Sequence, residues 1–169
     1  MSPARTSTVL AALIACAVLL PLLGHKPLTD WDEGIYAEVS REMLTQGWLA
    51  PHWNFHLWFE KPPLLLLITA IFFRLFGVTE FWARATSALS GVAVVTLSHS
   101  WLLRTRGQLA AWLSTLMLLA TFGFLHAARV GETDILLTLG CLGAVIGLEK
   151  VMEGRAGGWY GFWIGFAVA

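Results

Sequence analysis

Apolar positions in this chain come in long blocks, Val9–Leu23, Leu64–Phe73, Ala85–Leu103, Leu109–Ala128, Ile135–Leu148 and Trp159 onward, with polar residues gathered between them. A helix that crosses a bilayer takes about 20 such residues. Spans are therefore predicted at about 8–24, 84–103, 109–128 and 135–151, with 159–169 an incomplete further one. Because that last run holds only eleven residues, the chain is expected to be the N-terminal part of a longer protein, inactive on its own. The Leu64 block is the exception among the complete ones. Ten residues rise about 15 Å as a helix, against a hydrocarbon core of about 30 Å, and Arg74 closes the run before Gly77. Pro62-Pro63 suits the first turn of a helix, so the pattern predicts an interfacial helix over 64–76 within an outer loop spanning 25–83.

Composition sharpens this picture. At 57% hydrophobic residues and a mean hydropathy of +0.68, the chain reads as an all-α polytopic membrane protein. Pro21-Leu22-Leu23-Gly24 makes a poor small-x-small cleavage site, so the first run is read as an uncleaved helix rather than a signal peptide. With the N-terminus inside and the Leu64 run not crossing, Arg104, Arg106, Lys150 and Arg155 fall in cytoplasmic loops, as the positive-inside rule asks. Residues 25–83 and the Arg129–Asp134 turn then share the outer face. Thr86, Ser87, Ala88, Ser90, Gly91 and Ala93, and the pair Gly143 and Gly147, are small enough for close helix packing. The eleven Lys and Arg balance eleven Asp and Glu and are scattered, which leaves no footprint for nucleic acid. Cys16 and Cys141 lie in apolar runs and read as buried hydrophobes.

The chemistry is concentrated in the outer loop, since seven of the eleven acidic residues lie between Asp30 and Glu80. Ionisable groups held against a bilayer are costly and mark functional sites. Asp30-Trp31-Asp32-Glu33 precedes an amphipathic helix with Ile35, Tyr36, Val39 and Met43 on one face and Glu38, Arg41 and Glu42 on the other. The acids read either as a helix cap, with Glu33 completing a capping box on Asp30, or as a reactive group. Trp31, Trp48, Trp53 and Trp58 suit both the membrane interface and stacking on a sugar or lipid. Glu60-Lys61-Pro62-Pro63 sets a cation at a helix start, where an anion such as phosphate is already favoured, unless Lys61 simply snorkels beside Glu60. Gly131-Glu132-Thr133-Asp134, preceded by Arg129, brings a second set of acids to the same face, again as a cap or as part of a pair. His52, His56 and Glu60 share a face if helical, which makes them a candidate metal group.

Several of these segments together resemble one family. Asp32-Glu33-Gly34-Ile35-Tyr36-Ala37-Glu38, Arg41-Glu42-Met43-Leu44, Gly47-Trp48, Trp58-Phe59-Glu60-Lys61-Pro62-Pro63-Leu64, Phe76-Gly77-Val78-Thr79-Glu80-Phe81-Trp82-Ala83-Arg84 and Ala128-Arg129 to Asp134 are similar, in order and spacing, to the N-terminal region of GT-C glycosyltransferases. The nearest subgroup holds the protein mannosyltransferases and the aminoarabinose transferase that modifies lipid A. The resemblance implies a GT-C-type transmembrane bundle and inverting transfer of a sugar from a polyprenyl-phosphate donor to a membrane-associated or exported lipid or protein acceptor. It implies a multi-pass protein of the bacterial inner membrane with its active site on the periplasmic face. Asp32, Glu33 and Asp134 are then the expected catalytic acids, and Lys61, Glu60, Tyr36, Arg41 and Arg129 the expected substrate contacts. Glu60 is the candidate ligand if a divalent metal takes part. The chain departs from the family at Ile35, where many relatives carry Arg, and at Gly47-Trp48, where relatives often have Gly-Asp-Trp. A transporter or flippase-like bundle, in which the acids couple ions, and a truncated remnant that only anchors are the competing readings.

Overall fold

The computed structural model describes residues 2–169. Its helices are α1 Pro3–Leu19, α2 Asp32–Gln46, α3 Pro63–Phe76, α4 Glu80–Thr105, α5 Gln108–Ala120, α6 Phe122–Arg129, α7 Asp134–Met152 and α8 Gly158–Val168. A two-stranded antiparallel hairpin, β1 His52–Trp53 and β2 His56–Leu57, interrupts the helical loop between α2 and α3. By length and composition α4 and α7 are able to cross a membrane, and α5 with α6 make a third span if the bent pair is counted as one.

Four features differ from the sequence reading: α1 runs Pro3–Leu19 rather than 8–24, opened by the Ser2 hydroxyl accepting from Arg5 N with Pro3 in the first turn, and the other three have equally local reasons. α4 starts at Glu80 rather than 84 because Thr79 caps it, its Oγ1 accepting from Trp82 N at 3.4 Å. The predicted 109–128 span is broken, with α6 turned 69° from α5. At the break the Thr121 hydroxyl donates to Met117 O at 2.6 Å, the carbonyl that the Thr121 N–H would occupy in a continuous helix, and that N–H turns to Leu118 O instead. His52 and His56 lie in the hairpin, Trp53 pairing with His56 and His52 with Leu57, so they do not share a helical face. Asn54 and Phe55 form the two-residue turn with φ of 53° and 65°, the left-handed geometry that such hairpins require. The buried Glu42 carboxylate holds that turn by accepting from Phe55 N at 3.0 Å.

The segment between α1 and α4 is packed onto the bundle. Tyr36, Val39 and Met43 of α2 form one buried cluster with Trp58 and with Leu65, Leu66 and Ala70 of α3. α3 has 14 residues, about 21 Å at helical rise, and lies against the first turns of α4 and α7. Its start lines a cavity with Thr133, and its Phe73 lines another with Gly34 and Glu80, so both its ends stay at one end of the bundle.

Small residues and a few polar bridges join the spans. The glycines of α7 (Gly140, Gly143, Gly147) face those of α8 (Gly158, Gly161, Gly165). A Cβ on Gly140 would stand 2.5 Å from Ala169 N, and Cβ atoms on Gly147 or Gly165 would strike backbone of the opposite helix. Between α1, α4 and α5, fully buried His99 bridges Ser7 and Thr115. The Thr115 hydroxyl donates to Ala111 O at 3.0 Å, so it accepts from His99 Nδ1, which leaves Nε2 to accept from the Ser7 hydroxyl. Such bridges between helices offset the absence of a hydrophobic drive inside a bilayer.

The glycine seam yields a direct expectation. Gly147→Leu in the complete gene product should lower the thermal midpoint in detergent, since overpacking costs roughly 1–3 kcal/mol even where backbone moves aside. Gly123→Ala, at an open position of α6, serves as the control and should leave the midpoint unchanged.

Candidate active site

At the end of the bundle where α2, α4 and the 130–133 turn meet, the side chain of Glu33 is fully buried against Arg84. Arg84 Nε donates to Glu33 Oε1 at 2.7 Å and Nη2 to Oε2 at 2.9 Å, a bidentate pair. The other guanidinium protons go to the carbonyls of Leu23, Lys26 and Pro27 at 2.8 to 2.9 Å. Every donor of Arg84 is thereby used. Glu33 also accepts from Thr29 N at 2.7 Å, from the Thr29 hydroxyl at 3.0 Å and from Gly131 N at 2.9 Å. Burial opposes ionisation of Glu33, but hydrogen bonds from Arg84, Thr29 and Gly131 and the Arg84 charge outweigh it and hold the carboxyl below the usual range. Gly131 is in close contact, since a Cβ there would lie 3.1 Å from Ala83 O and 3.4 Å from Glu33 Cγ.

This knot fixes the neighbouring residues. Trp31, with φ of 68° and no side-chain cap, turns the chain so that Asp32 becomes the exposed first residue of α2. The capping-box reading is therefore corrected: the reach of Glu33 is to Thr29 and across the fold, and Asp32 caps nothing. Asp134, likewise exposed, opens α7. Acids in the first turns of α2 and α7 are each favoured by the helix dipole. Lys61 Nζ lies 5.9 Å from the centre of the Tyr36 ring, and Tyr36 is itself buried against Trp58. The Tyr36 phenol first, then the Asp32 and Asp134 carboxylates, push the Lys61 ammonium above its ordinary value. Burial pushes the Tyr36 phenol up against the opposing effect of Lys61.

Asp32, Tyr36, Lys61 and Asp134 thus form one open cluster, drawn from three separated stretches of sequence. Glu132 joins it and was not anticipated, although Gly131-Glu132-Thr133-Asp134 stood out as a motif. Burial raises its carboxyl above the usual range, and the charges of Asp134 and Asp32 raise it further. Arg84 was missed as well; the available signal was a cation one turn inside an apolar helix.

Other expected residues sit elsewhere. Glu33, expected as a catalytic acid, has both its oxygens occupied by hydrogen bonds inside the protein. Arg41 pairs with Glu38 on the exposed face of α2, a surface bridge that lowers the Glu38 carboxyl. Arg129 donates to the carbonyls of Val18, Leu19 and Pro21 at 2.8 to 3.1 Å, closing the C-terminus of α1. Glu60 is exposed, and among the described residues no three His, Cys, Asp or Glu side chains gather to hold a metal ion.

The chain is similar to known proteins at the level of family, sequence and structure. Residues 8–169 match the model of the family described as dolichyl-phosphate-mannose-protein mannosyltransferase. The chain is 33% identical over 132 residues to the undecaprenyl phosphate-alpha-4-amino-4-deoxy-L-arabinose arabinosyl transferase of Pseudomonas savastanoi pv. phaseolicola, covering 78% of this chain and 24% of that protein. It is 40% identical over 141 residues to the protein of the same name in Aeromonas salmonicida, covering 80% of this chain and 25% of the other. The crystal structure of ArnT from Cupriavidus metallidurans bound to undecaprenyl phosphate superposes with a TM-score of 0.83 at 31% identity, over 95% of this chain and 31% of that one. The chain spans about a quarter to a third of the length of these relatives. It is an integral membrane protein of the all-α polytopic class.

The knot predicts a large stability effect with a defined pH dependence. Arg84→Met leaves a buried carboxylate unpaired and should cost about 3–5 kcal/mol, whereas the double change Glu33→Gln with Arg84→Met should cost less than either half implies. With the native carboxyl held low, Glu33 contributes stability above the ordinary glutamate range and loses it as pH falls through the lowered native value. Thermal midpoints of the wild type and the double variant across acidic pH should converge. Parallel curves would show that the pair does not carry the acid dependence.

Proposed function

The chain belongs to the dolichyl-phosphate-mannose-protein mannosyltransferase family, and on that premise we propose that its outer-end cluster is the N-terminal half of a sugar-transfer site served by a polyprenyl-phosphate donor. The observation that carries the reading is the convergence of Asp32, Tyr36, Lys61 and Asp134 beside the Glu33–Arg84 knot, two exposed carboxylates facing one cation. A relative with the same fold binds undecaprenyl phosphate, which supports a phosphate-bearing lipid as the donor.

The transfer then runs as follows. An acceptor nucleophile, borne by a membrane-associated or exported lipid or protein, attacks the anomeric carbon from the side opposite the phosphate. The bond from that carbon to the phosphate oxygen breaks as the new bond forms, and polyprenyl phosphate leaves with the electron pair. Asp32 orients the nucleophile and takes its proton where it carries one. Lys61, anchored over Tyr36, stabilises the charge that grows on the departing phosphate. Asp134, with Glu132 beside it, orients the acceptor. Because attack and departure are on opposite faces, the anomeric configuration inverts.

The cluster is assigned to the outer, periplasmic side of a bacterial inner membrane. Arg104, Arg106, Lys150 and Arg155 all lie at the opposite end of the bundle, which supports that orientation through the positive-inside rule. The ion-coupling alternative has little support, because the break at Thr121-Phe122-Gly123 carries no ionisable side chain, where transporters set theirs on broken helices.

Asp32→Asn is the sharpest test. The side chain caps nothing, so Asn should preserve folding while turnover falls on the order of 10²- to 10⁴-fold, as expected for loss of a general base. Transfer of a labelled sugar from a polyprenyl-phosphate donor, in membranes with equal amounts of each complete gene product, is the measurement. Near-normal transfer by Asp32→Asn would remove the role assigned to it.

Lys61 gives a separable expectation. Lys61→Ala should raise the apparent KM for donor more than it lowers protein level, and Lys61→Arg should restore only part, because a planar fork replaces a compact charge. An unchanged donor dependence would refute the phosphate contact.

A further inference from the structure

A cavity of about 410 Å³, with a mostly apolar lining and several basic side chains, lies beside the Glu33–Arg84 pair, between the end of α1, the 22–29 segment and the end of α6. Its walls include His25, Lys26, His126 and Arg129, and none of Asp32, Tyr36, Lys61 or Asp134 lines it. We propose that this cavity binds the phosphate-bearing headgroup of an anionic membrane lipid and so seats the outer end of α1 and α6 in the bilayer.

Three observations lead there. The first is charge. Glu33 and Arg84 neutralise each other in the shared wall. Lys26 and Arg129 belong to none of the three ion pairs among the described residues, which leaves the cavity two uncompensated cations and two imidazoles. The second is their fixed placement. The Arg129 guanidinium is held by the last carbonyls of α1, and Arg84 holds the backbone that carries Lys26 through the Lys26 and Pro27 carbonyls, so one cation is ordered and the other is tethered at its backbone before any ligand arrives. The third is the apolar edge beside them. Leu22, at φ of 59°, is turned outward and 75% exposed at the mouth of the cavity, directly after a helix of apolar composition. A cation group bordered by apolar surface at the end of a membrane helix matches a lipid headgroup with its acyl chains below, and fits a free phosphate less well. A volume of this size is within the usual range of ligand cavities.

This assignment relies on the outer-face orientation proposed above but not on sugar transfer, so its test does not use activity. The complete gene product in mild detergent is titrated with phosphatidylglycerol, phosphatidylcholine or inorganic phosphate while its thermal midpoint is followed. Wild type should be stabilised by phosphatidylglycerol alone. Lys26→Gln with His25→Gln should retain the lipid-free midpoint but need about fivefold more phosphatidylglycerol per charge removed, the ratio for about 1 kcal/mol per basic residue near an anionic surface. Lys26→Arg should keep the wild-type response, which separates lost charge from damaged fold. An equal response of wild type and double variant, an equal effect of phosphatidylcholine, or full stabilisation by inorganic phosphate would each overturn the lipid site.

Discussion

The buried pair of Glu33 and Arg84 is the constraint on which the rest of this end of the protein depends. A carboxylate and a guanidinium removed from water lose several kcal/mol each of hydration, and only near-complete hydrogen bonding offsets that. Here the guanidinium has a partner for each proton and the carboxylate accepts five hydrogen bonds. Those partners are drawn from the loop after α1, from α2, from α4 and from the turn before α7. A movement of any one would leave a charge unsatisfied, so the four are held in one relative geometry. The outward-facing acids at the starts of α2 and α7 inherit that geometry without contributing to it. Rigidity is thereby supplied by buried residues, while the exposed carboxylates of Asp32 and Asp134 stay free of internal hydrogen bonds.

Much of the architecture was legible because bilayer physics is one-dimensional. The apolar runs coincide with α4, α7 and the start of α8, whereas α1 (Pro3–Leu19) lies five residues upstream of 8–24, and the short Leu64 run with its two prolines coincides with the 14-residue α3. What escaped was set by single side-chain bonds. No hydropathy profile registers that the Thr121 hydroxyl takes a backbone carbonyl and breaks a span. The His52–Leu57 hairpin escaped for a similar reason, since its register is set by two left-handed residues and a buried carboxylate thirteen positions upstream.

The candidate site was legible in part. Asp32, Lys61 and Asp134, which the structure brings to one end of the bundle, stood out in the sequence because charge is rare in such a chain, and rarity is itself the signal. Their sorting into reactive and supporting roles was not legible, because adjacent acids such as Asp32 and Glu33 look alike in sequence while a helix sends them in directions about 100° apart. One faces solvent and the other the interior. Arg129 shows the same ambiguity: a basic residue next to an acidic turn reads as a substrate contact, yet it closes the last carbonyls of α1.

The bend between α5 and α6 has a consequence for biogenesis. By turning the chain 69° at Thr121, it carries Gly131 back over the start of α4, where its N–H meets a carboxylate made 98 residues earlier. Glu33 leaves the ribosome well before Arg84, and Arg84 well before Gly131. The knot therefore closes in two stages of membrane insertion, first when α4 enters and again when α6 has been delivered and turned. Between those stages Glu33 has its bonds from Arg84 but not the one from Gly131. A bend inside one span thus sets the moment at which the opposite face of the membrane acquires a finished surface.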